Sequence, residues 1–308
     1  MKLSIVSTLF NSAQYVNEFH ARISLNAKRI AGDDYEIVFV NDGSPDSSLD
    51  FAIKLSQKDS HLKIVDLSRN FGHWPALITG LEHAKGDRIF MIDSDLEEDP
   101  EWLLKFDELM INEQCDVVYG VQENRRGKGF VKITGKLFYV IFRKLTGVMQ
   151  PDNMVTARLM TKRFVQALLS HRERVTFFGG LFFITGFKQS ILKVNKHSTS
   201  PTDYDLSKKI NLFVNSITSF SNLPLVFTFY SGLIIAISAL SFIVYLVLRY
   251  YFISLAPSGY TSLISSIWFF SGLIIFFLGV QGIYLSKIFL EVKQRPNTII
   301  RKIYHKNE

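Results

Sequence analysis

The chain has 308 residues and a formal net charge of +7; 47% of its residues are apolar and 14% aromatic, which excludes an intrinsically disordered polypeptide. The charge is segregated: residues 1–120 carry 11 Lys/Arg against 21 Asp/Glu, residues 121–215 carry 17 against 5, and residues 249–308 carry 7 against 2. Because the positive charge flanks apolar segments, anionic lipid accounts for it and nucleic-acid binding is set aside. The single Cys115 excludes an intrachain disulfide and fits a reducing compartment.

The N-terminal MKLSIVSTLFNSAQ has one Lys, a short apolar run and no small-residue cleavage site, so it reads as a first strand and not as a signal peptide. Helix to about Ile30, strand YEIVFVND, helix Ser47 to Lys58, strand LKIVDLS, helix Trp74 to Lys85, strand DRIFMID, a helix after Pro100 and strand CDVVYGV follow in alternation. Alternation with continuously apolar strands predicts a mostly parallel sheet covered on both faces, a nucleotide-binding architecture. Ligands of such sheets sit beyond the carboxyl ends of the strands, where NSAQ, NDGSPDSS, SRNFGHW and DSDLEEDPE gather.

Between residues 130 and 148, Phe130, Ile133, Leu137, Ile141, Leu145 and Val148 fall at helical spacing, with Lys132, Lys136 and Arg143 on the other face. This amphipathic helix is either packed on the core or interfacial, facing lipid and phosphate. Residues 225–248 and 263–286 are each 24 residues without a charge, and roughly 20 apolar residues span a bilayer as a helix. Two transmembrane helices are therefore expected, and the basic tail 287–308 places both chain ends on the cytoplasmic side of a cell membrane.

Asp93 and Asp95 flank Ser94 at a strand end, so the two carboxylates project alike into the loops and suit a divalent cation. Asp42, in VNDGSPDSS, also follows a strand and is placed to accept hydrogen bonds from a base or ribose; ordinary turn chemistry, with Ser47 as a helix cap, accounts for the same residues. Asp99-Pro100-Glu101 reads as the start of the next helix, with Pro in its first turn and carboxylates at its positive end.

SIVSTLFNSAQ, VNDGSPDSS, RNFGHWPALITGLEHAKGD and IDSDLEEDPE, in this order, resemble the catalytic domain of family 2 glycosyltransferases with the GT-A fold. The branch that contains dolichyl-phosphate mannose synthases and bactoprenol (undecaprenyl phosphate) glucosyltransferases is the most similar, and YLSKIFLEVKQRP resembles the tail after their second span. The resemblance implies a cytoplasmic Rossmann-like domain at 1–215, a nucleotide-sugar donor, a polyisoprenyl phosphate acceptor in the lipid bilayer, and Mg²⁺ or Mn²⁺. A homo-oligomer is compatible with it.

By position, the resemblance makes Asp95 the principal metal ligand, with Asp93 as a second ligand and nucleotide contact. Leu9, Phe10, Asn11, Asp42 and Arg69 bind the donor, beside Asn70 and Gly72. Glu98 and Arg158 are catalytic candidates, and Arg125, Arg126, Lys162 and Arg163 candidates for the acceptor phosphate. Thr8 and Ser12-Ala13 depart from the family's proline and acidic pair, and VTARLM puts Thr156 where an acidic residue is usual. A lipid monophosphate, with a second pKa of about 6, needs a cationic clamp more than a base. The alternatives are a synthase acting on a saccharide, disfavoured by the absence of a Gln-x-x-Arg-Trp stretch, and a catalytically decayed membrane scaffold.

Overall fold

The runs LSIVSTL and YEIVFVN are buried along their whole length, as strands covered on both faces require. They are β1 (Leu3–Leu9) and β2 (Tyr35–Asn41), and with β3 (Leu62–Leu67) and β4 (Arg88–Met91) they make the parallel centre of an eight-stranded sheet. This computed structural model describes residues 1–122, 144–146, 151, 153–171, 178–197, 214, 215, 217–253 and 259–306. Helices α1 (Val16–Ala31), α2 (Ser48–Ser56), α3 (His73–His83) and α4 (Trp102–Glu113) alternate with the strands as the sequence predicts. Leu3, Ile5 and Leu9 enter one core with Phe19 of α1 and Phe106 of α4, whereas Val6 enters a second core with Leu77 and Leu81 of α3. The period of two along β1 thus builds a helix–sheet–helix sandwich.

The strand order is β7-β5-β6-β4-β1-β2-β3-β8. The run CDVVYGV supplies β5 (Val117–Gln122), but β5 does not lie beside β4. Strand β6 (Met154–Thr161) is inserted between them, antiparallel to both, and β7 (Gln189–Val194) is parallel to β5. Helix α5 (Lys162–Ser170) begins at the end of β6, capped by the Thr161 hydroxyl, and Phe182 of α6 (Phe178–Ile184) stacks on Phe164 of α5. Strands β2 and β3 lie to one side of β1 and β4 to the other, so the winding reverses at the β1/β4 boundary. The crevice at the carboxyl ends there is where such sheets bind ligands.

Helices α7 (Leu223–Ile253) and α8 (Tyr260–Lys293) cover the two uncharged stretches, 225–248 and 263–286. Within α8, Ser266–Lys293 is long and apolar enough to cross a membrane; the apolar stretch of α7, Leu223–Ala239, is shorter. Tyr284 of α8 donates to the Ser221 carbonyl, and Lys287 to the Asn215 carbonyl and Ser219 hydroxyl, which ties α8 to the residues leading into α7. The basic tail then does something its charge did not predict: β8 (Ile300–Tyr304) returns to the sheet and pairs antiparallel with β3. Of the expected amphipathic helix 130–148, residues 144–146 are described and helical; the rest lies outside the described residues.

Candidate active site

Four loops at the carboxyl edge of β1, β2, β3 and β4 enclose a cavity of about 520 Å³ lined by Phe10, Asp42, His73, Asp93 and Asp95, among others. That volume suits a small-molecule site. The loops brace one another through polar bonds. Asn11 N donates to Ser44 Oγ (2.9 Å) and Ser12 N to Ser48 Oγ (2.9 Å). Asp42 is buried, and its carboxylate accepts from Phe71 N (2.7 Å) and Gly72 N (3.0 Å), while Asn70 Nδ2 donates to the Asp42 carbonyl (3.1 Å). Burial raises Asp42 above the usual carboxylate range, and the two amides oppose that rise.

Asp46 organises the same region and was missed by sequence reasoning, although Ser44 and Ser48 at two residues either side signal it. Ser47 makes no side-chain cap bond; the helix α2 is capped instead by Asp46 Oδ1, which accepts from Ser48 N (3.0 Å). Its other oxygen accepts from Ala13 N (3.0 Å), and Ser44 and Ser48 hydroxyls add two more bonds. Burial works against the charge, but the four donors outweigh it and hold the carboxyl at about 2. Asp46 therefore stabilises the fold above its unfolded pKa of about 4, and that contribution, on the order of 1–2 kcal/mol, is lost as pH falls toward 2. Asp46→Asn is expected to melt earlier than wild type at pH 7, with the gap closing between pH 4 and 2 in thermal scans.

The acidic run divides by environment. Ser94 is buried and donates to the Thr8 carbonyl (2.7 Å), which holds Asp93 and Asp95 at the β1/β4 crevice. Asp93 Oδ1 is buried and accepts no hydrogen bond among the described residues, although His73 Nε2 lies 3.3 Å away and His73 Nδ1 is 3.2 Å from Thr8 Oγ1. Asp95 accepts from Glu97 N (3.0 Å); burial, with the Asp93 charge adding to it, raises its pKa. Two carboxylates with surplus charge and an orphaned oxygen fit a divalent cation. Among the described residues no group of three or more His, Cys, Asp or Glu is arranged to hold a metal, so water and a bound diphosphate would complete the shell.

Glu98 is fully buried. Its Oε1 accepts from Thr156 N (2.8 Å) and lies 3.9 Å from Lys196 Nζ, and burial followed by the Asp93 charge raises its pKa. It ties the acidic loop to β6 through the bond from Thr156 N, whereas the resemblance made it a catalytic candidate. Lys196 also pairs with Glu97 (3.1 Å), and His197 N donates to the Glu97 carbonyl (2.8 Å). Asp99 and Glu101 do not cap α4, whose first turn holds no acid. They pair with Arg22 of α1, at 3.1 Å for Asp99 Oδ1 and 3.0 Å for Glu101 Oε1.

The family model described as glycosyl transferase family 2 matches residues 4–177. The chain belongs to glycosyltransferase family 2. It is 45% identical over 304 residues to a Mycobacterium tuberculosis protein named as a putative glycosyltransferase, covering 99% of this chain and 89% of that one. It is 30% identical over 310 residues to the SfII prophage-derived bactoprenol glucosyl transferase of Shigella flexneri, covering all of both chains. Among solved structures, Mycobacterium tuberculosis glucosyl-3-phosphoglycerate synthase in complex with UDP aligns with a TM-score of 0.51 at 17% identity, over 70% of this chain and 79% of that one, which shows a shared GT-A fold.

In this glycosyltransferase several expected contacts stand elsewhere. The Leu9 side chain is wholly buried and cannot line the cleft; its carbonyl accepts from Asp42 N (3.1 Å). Phe10 is exposed toward the cavity, Asn11 has φ 53°, and Arg69 stacks on Phe71 at 4.1 Å. Arg158 is buried over the Phe182 ring (3.9 Å), donating to the Thr156 and Val155 carbonyls (both 3.1 Å), so it offers no bidentate clamp to the cleft; its charge balances Glu98 and Asp93.

Lys162 and Arg163 follow β6, which runs away from the cleft: Arg158 lies opposite Met91, and Thr161 opposite Arg88. They sit near the amino ends of the strands, about 15 Å or more from Asp93 at 3.3 Å per residue. There Lys162 N donates to the Asp87 carbonyl and Arg163 pairs with Asp116. Arg163→Gln is expected to leave sugar transfer within about twofold of wild type, because its pair with the buried Asp116 is remote from the chemistry; initial rates at saturating substrates check it. Arg125 and Arg126 lie outside the described residues.

Proposed function

We infer that the protein transfers a sugar from a nucleoside-diphosphate sugar to the phosphate of a polyisoprenyl lipid, with undecaprenyl phosphate as acceptor, supplying lipid-linked sugar for cell-surface glycans. The observation that carries this reading is the end-to-end similarity to a protein named bactoprenol glucosyl transferase, with neither chain left uncovered. The donor lies in the cleft with its nucleotide toward Phe10, Asp42 and the loop carrying Arg69. A Mg²⁺ or Mn²⁺ ion, when bound by Asp95 and Asp93, neutralises charge on the departing diphosphate. The likeness in fold to a synthase solved with Mn²⁺ and UDP agrees with that use.

The acceptor phosphate oxygen attacks the anomeric carbon as the bond to the diphosphate breaks. The bond pair leaves with the nucleoside diphosphate, and the anomeric configuration inverts. A dianionic phosphate has no proton to lose. This suits a cavity lined, among the described residues, by the carboxylates of Asp42, held by two amides, and of the Asp93–Asp95 pair, in a chain that has Thr156 where the resemblance leads one to expect an acid. A saccharide hydroxyl would need a base.

Two spans, α7 and α8, anchor the domain. Strand β8 follows α8 and pairs with β3, so the chain enters and leaves the hairpin on the same side of a bilayer, which an even number of crossings satisfies. With Lys293 at the end of α8 and Arg295, Arg301 and Lys302 beyond it, that side is the cytoplasmic face of the cell membrane. The test uses membranes holding the folded protein, undecaprenyl phosphate and a panel of labelled nucleotide sugars, with label counted in the lipid extract with and without EDTA. Transfer that EDTA abolishes is expected; no transfer from any donor refutes the reading.

A further inference from the structure

Tail residues 298–304 do more than close an edge of the sheet. They enter it at the end that carries the cleft, with Ile300 opposite Leu67 and Tyr304 opposite Ile64. Both main-chain groups of Ser68 are taken by the tail: Ser68 N donates to the Ile299 carbonyl (2.8 Å), and Arg301 Nη2 donates to the Ser68 carbonyl (2.6 Å). The next residue is Arg69, which opens the loop whose amides hold Asp42. Thr298 Oγ1 also meets Thr79 Oγ1 of α3 at 2.7 Å, and α3 begins at His73 in the cleft.

The same guanidinium reaches a second loop. Arg301 Nη1 lies 3.5 Å from Asp66 Oδ2, an oxygen that is buried and has no hydrogen-bond partner among the described residues, on a residue only 1% exposed. Asp66 Oδ1 accepts from Asn41 Nδ2 (2.7 Å), and Asn41 Oδ1 in turn accepts from Ser44 N (3.3 Å). Ser44 Oγ receives Asn11 N from the first loop. One exposed arginine, 235 residues from Asp66 along the chain by their numbers 301 and 66, is thus linked to the loops after β1, β2 and β3. Only five residue steps separate Lys293, the end of α8, from Thr298, a reach of at most about 18 Å.

We propose that residues 298–304 are a positioning element of the nucleotide-sugar site, in which Arg301 acts through Asp66 and Asn41 on the loop bearing Asp42 and Gly43, and through Ser68 on the loop bearing Arg69 to Gly72. Donor affinity thereby depends on a segment that enters directly from the membrane helix. The proposal rests on the donor-binding reading above. Removing Arg301 leaves the backbone pairing of β8 intact but strips the buried Asp66 carboxylate of its cation, a cost to stability that Asp66→Asn in the same chain relieves.

The test titrates the full-length protein in lipid nanodiscs with UDP, GDP, CDP and dTDP in the presence of Mn²⁺, by calorimetry. Arg301→Gln is expected to raise the Kd of the preferred nucleotide about tenfold, as for loss of a charged hydrogen-bond network, in titrations run well below its lowered melting temperature. Arg301→Lys, which keeps a cation beside Asp66 but lacks the fork that also spans to Ser68, falls between. Arg301→Gln combined with Asp66→Asn weakens binding no more than the worse single change. Lys306→Gln, exposed and beyond β8, binds as wild type does.

Wild-type affinity in Arg301→Gln overturns the proposal, as does additivity in the double variant. If Arg301→Gln does not fold, Arg301→Lys decides, with weaker binding supporting the tail's role and unchanged binding overturning it. A wild-type protein that binds none of the four nucleotides removes the donor-binding reading itself, and the proposal falls with it.

Discussion

Asp95→Asn is expected to lower sugar transfer into lipid by about three orders of magnitude, roughly 4 kcal/mol of transition-state stabilisation, with the fold intact. Asn is isosteric and its carbonyl oxygen still accepts from Glu97 N, the 3.0 Å bond that shapes the loop. What it removes is one charge of the Asp93–Asp95 pair at the cavity, where the buried Asp93 Oδ1 has no hydrogen-bond donor among the described residues. Because Asp93 raises the pKa of Asp95, the native pair is mutually repulsive in the absence of a cation, and neutralising one member relieves it. The melting temperature of the metal-free variant therefore equals or exceeds that of wild type, whereas Mn²⁺ no longer raises it. Counting label in the lipid phase, alongside thermal melts with and without Mn²⁺, checks both halves. Transfer that survives the substitution would remove Asp95 from the chemistry.

Gly43→Ala is expected to weaken nucleotide binding more than tenfold and to destabilise the protein by about 2–3 kcal/mol. Gly43 has φ +60°, a conformation L side chains rarely adopt, and a Cβ there would stand 2.4 Å from Asn70 N and 2.5 Å from the Arg69 carbonyl carbon. Those atoms are backbone, so the clash cannot be relieved by turning a side chain. The loop after β3 must retreat from the loop after β2, and retreat breaks the bonds from Phe71 N and Gly72 N to Asp42. Both consequences are read from one preparation, by calorimetric titration with nucleotide and by denaturant melts. The same substitution at Gly32, whose φ is also positive but which has open space around it, perturbs only stability.

The central strands were legible because a parallel sheet buries both faces, which leaves unbroken apolar runs such as LSIVSTL and YEIVFVN. Asp93 and Asp95 were legible because period-two geometry at a strand end points alternate residues the same way. Closeness in sequence misled where the chain reverses. Arg158 and Arg163 are five residues apart, but β6 carries them toward opposite edges of the sheet. Glu98 is indistinguishable from its acidic neighbours in sequence, because complete burial is a tertiary property. Strand β8 is apolar enough to be read as a strand, yet its partner β3 lies more than 230 residues earlier, and no local pattern announces that pairing. Lys196 and His197 carry no motif; only the fold brings them to Glu97 and Asp99.

The pairing of β8 with β3 also bears on how the protein behaves when handled. Leu62, Ile64, Val65 and Leu67 of β3 are all wholly buried, and β8 supplies the hydrogen-bonding partner along that side. A chain cut before α7 to obtain a soluble catalytic domain would leave β3 as a flat apolar edge with open amides and carbonyls, a template for strand addition by the next copy. Such a fragment is expected to self-associate. Supplying residues 298–306 behind a flexible linker in place of the helical hairpin is expected to restore a monodisperse species, which light scattering distinguishes directly.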